Sequence, residues 1–248
     1  MTDDRRDLIL AELGLLPLWV PRDRAPRSSL GVLLALENEQ PPPRVDEPEE
    51  RSGRIARSGW PELKELVKAC TDCPLHATRR QTVFGVGDEN ADWLFVGEGP
   101  GAEEDARGEP FVGQAGRLLD NMLAAIGLKR GHDVYIANVL KCRPPGNRVP
   151  EALEAARCEP YLLRQMQLIE PKLIVALGKT AASNLLHTEA SISSLRGRLH
   201  QFRGTPLLVT YHPAYLLRNL ADKAKAWEDL CFARDAMARL KAGQPAFN

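Results

Sequence analysis

The stretch Trp93-Leu94-Phe95-Val96-Gly97-Glu98-Gly99-Pro100-Gly101 decides how this chain is read. Four consecutive apolar residues show no helical period, and they run into glycines that neither a helix nor a strand would continue. A short run apolar on both sides suits a strand in a sheet that is covered on both faces. Three more runs have the same character: Val134 to Val139, Leu173 to Leu177 and Leu207 to Tyr211. Helical patterns lie between them. Leu118, Leu119, Met122, Leu123 and Ile126 make one stripe that stops at Gly127. Pro150 suits the first turn of a helix running to about Leu168. A shorter helix follows Gly178 to about Leu186, and a long one is expected from Leu216 to Leu240. Strands alternating with helices of this size predict an α/β fold, a three-layer α/β/α arrangement around a central four-stranded, mostly parallel sheet.

In open sheets of this kind ligands bind beyond the carboxyl ends of the strands. The least ordinary residues sit there: Gly97 to Gly101 after the first strand, Asn138 at the end of the second, and His212-Pro213 after the fourth. Three separate segments therefore bring polar groups to one rim.

Composition narrows the class. The 248 residues are 44% hydrophobic and 27% charged, with 33 basic against 33 acidic residues. That describes a globular chain able to bury a core. A net charge of zero does not favour a nucleic-acid binder, so any phosphate track has to be local. No apolar run reaches the ~20 residues of a membrane span. Asp3, Asp4, Arg5 and Arg6 open the chain with no apolar signal core. A cytoplasmic monomer with no membrane contact is the expectation.

Residues 37 to 59 crowd Glu37, Glu39, Asp46, Glu47, Glu49 and Glu50 around Pro41, Pro42, Pro43 and Pro48. Such text has too little apolar surface to offset the entropy of ordering. Three parts follow: a short amphipathic peptide over 1–25, a disordered linker over 26–59, and a globular domain over 60–242. Trp60, Leu63, Leu66 and Val67 open that domain at helical spacing and lead into Cys70.

The five cysteines are Cys70, Cys73, Cys142, Cys158 and Cys231. In a reducing compartment they do not suggest a disulfide framework. Cys70-x-x-Cys73 is compact enough for both thiolates to hold one metal centre, and Cys142 and Cys158 can complete a set of four. Spacing does not choose between tetrahedral zinc and an iron–sulfur cubane, since both accept four thiolates.

Four segments together carry a resemblance: GEGPG at 97–101, PFVGQAG at 110–116, NVLKCRPPGN at 138–147 and HPAYLLR at 212–218. In this order, and interleaved with the four cysteines, they resemble the family 4 uracil-DNA glycosylases over roughly Leu66 to Leu240. The resemblance implies a monofunctional enzyme of base excision repair. Such an enzyme flips uracil out of single- or double-stranded DNA in the bacterial nucleoid and hydrolyses its bond to the sugar. It implies a [4Fe–4S] cluster on Cys70, Cys73, Cys142 and Cys158, structural rather than redox-active, with Cys231 left to the core. The other class open to the chain is a non-catalytic iron–sulfur DNA-binding accessory factor of replication. A uracil-trapping relative, which stays covalently on DNA, carries a basic insertion with an extra His where this chain has only Arg143 to Arg148.

Site roles follow from the same resemblance. Asn138 would pair with N3–H and O4 of uracil, an amide presenting one acceptor and one donor. Taken alone, an Asn closing a strand is more often a turn residue. Phe111 would stack on the flipped base, though a lone Phe between Pro110 and Val112 reads as core. Glu104 would lie against C5 and reject thymine's methyl group. Gly99 and Gly101 would let the main chain approach the base. His212 would donate to O2 as negative charge develops there, and Glu98 would orient the attacking water. Relatives with the fastest chemistry carry an aspartate at the position of Gly99, so leaving-group stabilisation is expected to outweigh water activation here. Arg196, Arg198 and Arg218 would track DNA phosphates. Leu216, with Leu217 beside it, would wedge into the gap left by uracil, while Leu220 packs inside.

Residues 5–22, RRDLILAELGLLPLWVPR, are similar to the peptide of the clamp-loader psi subunit that docks on the chi subunit. The similarity implies the chi subunit as a partner, with Leu13 and Trp19 as anchors.

Overall fold

A computed structural model describes residues 48–245. The reading of 1–25 as a docking peptide, and its partner, fall outside the described residues.

Among the described residues the sheet has six strands in the order β1-β3-β2-β4-β6-β5. They are β1 (Val86–Gly87), β2 (Trp93–Gly97), β3 (Val134–Asn138), β4 (Leu173–Leu177), β5 (Leu199–Phe202) and β6 (Thr205–Thr210). The four expected strands form the parallel centre, in the spatial order β3-β2-β4-β6. The count of four is corrected by two edge strands that run antiparallel to their neighbours. Val86–Gly87 is too short for any periodicity to show. Leu199–Phe202 is half-exposed and joins β6 through Arg203 and Gly204, both at positive φ (+48° and +91°). That is the backbone of a tight hairpin.

Alternation along the central strands divides the core in two. Leu94, Val96, Ile174 and Ala176 face one way and pack on α5 (Ala152–Ile169) and α6 (Lys179–Leu186). Trp93, Phe95, Leu173 and Val175 face the other way, onto α4 (Gln114–Ala125) and α9 (Lys223–Lys241). The three layers expected from the sequence follow from this. The remaining helices are α1 (Pro48–Arg57), α2 (Trp60–Lys68), α3 (Ala102–Arg107), α7 (Ile192–Leu195) and α8 (Pro213–Leu216).

Two expectations change. Pro48–Arg57, read as part of a disordered linker, is helical and belongs to the folded body. Ile55 is fully buried, Arg51 pairs with Asp72 and lies over the Tyr161 ring, and the Arg51 guanidinium donates to the Arg157 carbonyl. One isoleucine and one arginine anchor a helix whose surroundings in sequence are all charge and proline. The single long helix expected from Leu216 is broken into α8, a 3-10 turn over Leu220–Asp222, and α9. The Tyr215 hydroxyl donates to the Asp222 carboxylate across that break.

A third cluster joins Ile55, Leu63, Val67, Leu75, Leu140 and Tyr161 to Cys142 and Cys158. It packs α1 and α2 against α5 around the cysteines. No described helix is long and apolar enough to cross a membrane.

Candidate active site

The carboxyl ends of β2, β3 and β6 and the start of α6 open into one cleft of about 760 Å³. Glu98, Gly99, Gly101, Glu104, Phe111, Asn138, His212 and Arg218 all line it. The rim expected from the sequence is therefore one place in the fold, assembled from five segments.

Gly97 explains how the segments come so close. A Cβ there would lie 2.5 Å from Asn138 Oδ1 and 2.6 Å from Phe111 Cζ. Only glycine lets both side chains reach the floor of the cleft. Gly178 does the same for the histidine: its φ is +92°, and a Cβ would meet His212 Cβ at 2.8 Å.

Asn138 is 2% exposed, and its Oδ1 has no hydrogen-bond partner. A buried amide oxygen left unpaired costs free energy, on the order of 1–3 kcal/mol. Its surroundings are cleft residues, so a ligand N–H entering the cleft is the natural partner.

His212 caps α8. Its Nδ1 accepts from the Ala214 N–H at 3.1 Å. That bond assigns the proton of the neutral ring to Nε2. Burial, followed by the Arg218 charge, depresses its pKa to about 4, against a smaller opposing effect of Glu104. The imidazole is thus neutral near pH 7, with a single N–H to give. Its ring stacks on Phe111 at 5.5 Å between centroids, inclined by 29°.

Phe111 holds a backbone conformation rare outside glycine, φ +55°. Two groups keep it there. The Arg130 guanidinium donates to the carbonyls of Pro110 (2.9 Å) and Phe111 (2.8 Å). The Glu104 carboxylate accepts from the N–H groups of Val112 (3.0 Å), Gly113 (3.1 Å) and Gly101 (3.1 Å). Both Glu104 oxygens are thereby committed to main-chain donors. It lines the cleft, but its first task is to bind the glycine loop to the Phe111 loop. Arg130 carries no signal in the sequence, because nothing in its neighbourhood repeats or matches a motif.

Two residues expected to meet a strand of nucleic acid do otherwise. Leu216 is 1% exposed and sits in the core between the sheet, α4 and α9. The exposed leucines of this segment are Leu217 (41%) and Leu220 (64%), which reverses the expectation for Leu220 as well. One residue of helical phase separates a wedge from a core contact here. Leu216→Ala should lower the free energy of unfolding by about 2–5 kcal/mol, whereas Leu217→Ala should change it by under ~0.5 kcal/mol. Denaturant unfolding of the two variants measures this. Arg196 is the second correction. Its guanidinium is bound to the carboxylates of Asp229 and Glu228 and to the Lys225 carbonyl, and lies over the Tyr211 ring. Asp229 is buried and also accepts from the Thr210 hydroxyl. Arg196 clasps α9 to β6 and has no charge to spare for a ligand. Arg198 and Arg218 are exposed, and Arg218 stands at the mouth of the cleft.

Arg148 also lines the cleft, in the turn after β3. It forms a two-pronged pair with Glu154, at 2.6 and 2.9 Å, and Glu154 accepts from the Glu151 N–H as well. The pair holds the Glu154 carboxyl below its usual range. It pins the proline-rich turn to the start of α5.

Cys70, Cys73, Cys142 and Cys158 line one small cavity behind that turn, and Cys231 does not. Cys142 Sγ accepts from Arg79 at 3.1 Å, and Cys158 Sγ from the Lys141 N–H at 3.2 Å. Burial pushes the Cys158 thiol up to about 12 and raises Cys73 and Cys142. Four sulfurs with N–H donors aimed at two of them, and no carboxylate among the ligands, match the donor set of a soft metal centre. Among the described residues, no three His, Cys, Asp or Glu side chains converge on a single-ion site.

The chain matches the model of the uracil DNA glycosylase superfamily over residues 84–231. It is 47% identical over 165 residues to a type-4 uracil-DNA glycosylase of Thermotoga maritima, covering 66% of this chain and 85% of the relative. It is 48% identical over 164 residues to a type-4 uracil-DNA glycosylase of Archaeoglobus fulgidus, covering 63% and 82%. A type-5 uracil-DNA glycosylase of Pyrobaculum aerophilum is more distant, 31% identical over 192 residues, covering 64% and 84%.

Proposed function

Because the chain belongs to the uracil DNA glycosylase superfamily, we propose that the cleft takes uracil flipped out of DNA and that His212 stabilises the departing base. The activity itself is uracil-DNA glycosylase activity, a hydrolysis in the service of DNA repair. The observation that carries the site assignment is the unpaired, buried Oδ1 of Asn138 at the floor of the cleft. Uracil N3–H is the donor this acceptor lacks. Cytosine presents an unprotonated N3 at the same place and cannot satisfy it.

The chemistry then needs little from general acids. As the glycosidic bond breaks, negative charge grows on the pyrimidine, and the Nε2–H of neutral His212 is fixed beside it. A preorganised donor in a dry cleft acts most strongly on charge that develops only in the transition state. Phe111 supplies the stacking face, held in place by Glu104 and Arg130. Glu98, at the rim, orients the water that attacks the sugar. No lysine of the cleft is needed as a Schiff-base nucleophile, so the product is an abasic site in an unbroken strand.

The four cysteines would hold the [4Fe–4S] cluster implied by the resemblance. The donor chemistry fits four thiolates on either zinc or a cubane, and the resemblance chooses the cubane. Bound there, the cluster would supply a cross-link between α2, the turn after β3 and α5. The chain's own residues make every step of base release.

Leu217 and Arg218 follow His212 by five and six residues; Leu217 is exposed, and Arg218 stands at the mouth of the cleft. Leu217 fills the gap left by uracil, so Leu217→Ala should impair excision from duplex DNA and spare single strands.

The test is direct. Purified protein should be brown, contain iron and sulfide in equal amounts, and release uracil from a single-stranded oligonucleotide without cutting the strand. Absence of uracil release rejects the activity. Zinc in place of iron rejects the cluster while keeping the ligand set.

A further inference from the structure

Lys141, within the 138–147 motif, has no part in the cleft as described above. Its side chain is 1% exposed, deeper than any other lysine or arginine among the described residues. Burying an ammonium is costly unless its charge is compensated. Its hydrogen-bond acceptors are neutral: the Asn138 carbonyl at 2.9 Å and Gln165 Oε1 at 2.6 Å. Gln165 is held in turn by its Nε2 donating to the Phe84 carbonyl at 2.9 Å. No carboxylate takes part. Lys141 also lines the small cavity that the four cysteines share. The Lys141 main chain touches the same centre, its N–H donating to Cys158 Sγ.

One residue thus grips both functional regions. Its main chain donates to Cys158 Sγ in the four-cysteine cavity, and its ammonium donates to the Asn138 carbonyl at the end of β3. A leucine or methionine of similar size would fill the space without the desolvation cost, so packing alone does not account for a lysine here.

We propose that Lys141 is a positioning residue that couples the four-cysteine centre to the base-reading Asn138. It balances the negative charge of the loaded centre and uses the same ammonium to fix the Asn138 backbone. The inference rests on the reading that the cysteines hold an iron–sulfur cluster and that Asn138 reads uracil. Loading then sharpens base recognition without taking part in the reaction.

The test uses holoprotein of the full chain. Lys141→Met removes the charge and the donor at nearly constant volume. It should make the cluster harder to reduce, shifting its midpoint potential negative, because a cation beside a cluster favours the reduced form. It should hasten loss of the iron chromophore to a chelator, and slow single-turnover uracil release about tenfold, the lower end for such supporting residues. Gln165→Met keeps the ammonium while removing one acceptor, and should leave the potential and the iron unchanged. An unaltered potential and release rate in Lys141→Met overturn the coupling. So does a Gln165→Met variant that reproduces both losses, since packing would then explain them. If Lys141→Met does not accumulate as folded holoprotein, Lys141→Gln carries the charge arm: a potential equal to that of the unaltered chain overturns the proposal. Iron content and uracil release by the unaltered chain test the preceding reading separately.

Discussion

Replacing His212 with alanine should slow single-turnover uracil release by about 10²–10³, the usual loss for one preorganised donor to developing charge. Asparagine at the same position separates the two things this side chain does. His212 accepts from the Ala214 N–H and so caps α8. Asparagine is a good cap, while alanine forfeits about 1 kcal/mol of stability. Asparagine is also too short to offer a donor where Nε2 does. Both variants should therefore lose the rate, and only alanine should lose stability. A rate within tenfold of the unaltered enzyme in either variant sinks the assignment. The pH dependence sharpens it. With a folded pKa of about 4, the neutral ring is the working form above that value. The His212 contribution to the rate should stay flat from pH 8 to about 5 and decline only as pH approaches 4. An imidazolium donor predicts the reverse, a rate climbing as pH falls through the ordinary histidine value of ~6.5. Stability carries the same sign. Between ~6.5 and about 4 the unfolded chain takes up a proton that the folded one refuses, so folding weakens over that window as pH falls.

What the sequence made legible, it made legible through residues whose chemistry is rare at their positions. Gly97 to Gly101, Asn138 and His212 announce a strand-end site because a core would not choose them. The parallel centre of the sheet was readable from four apolar runs, since strands buried on both faces leave no other pattern. The edges were not. Val86–Gly87 is two residues long, and Leu199–Phe202 alternates too weakly to separate from a loop. Helical phase was the other blind point. In Leu216-Leu217-Arg218 the identities alone do not say which leucine faces α4 and which faces solvent, and the neighbouring 3-10 turn shifts the phase again. Arg196 looked like a phosphate contact because its partner Asp229 lies 33 residues further on, in α9. Charge pairs that close across the fold are invisible to any local count. Lys141 was readable in principle: a lysine three residues after Asn138 and one before Cys142, just past a fully buried strand, is badly placed to be a surface residue.

Asn138→Ala should separate function from stability. In the free enzyme Oδ1 is buried and unpaired, so the native side chain is held at a cost on the order of 1–3 kcal/mol. Alanine removes that orphan together with a few packing contacts. The two effects oppose each other, and the variant should unfold at the same denaturant concentration as the unaltered chain, or a higher one. Its activity should behave in the opposite way. The acceptor for N3–H and the donor for O4 both disappear, and uracil release should fall by about 10²–10³ at saturating enzyme. Discrimination should fall with it. A site built to hydrogen-bond its substrate rejects an analogue of the wrong polarity because its own polar groups are left unpaired; with alanine nothing is left unpaired by cytosine. The uracil-to-cytosine preference should therefore shrink by more than the uracil rate alone. A marked loss of stability in Asn138→Ala indicates that Oδ1 has a structural partner. Near-normal release with intact preference indicates that some other group reads the base. Either result removes Asn138 from the site; a silent unfolding curve beside a collapsed rate keeps it there, because only a residue retained for its ligand would be both dispensable to the fold and indispensable to the reaction.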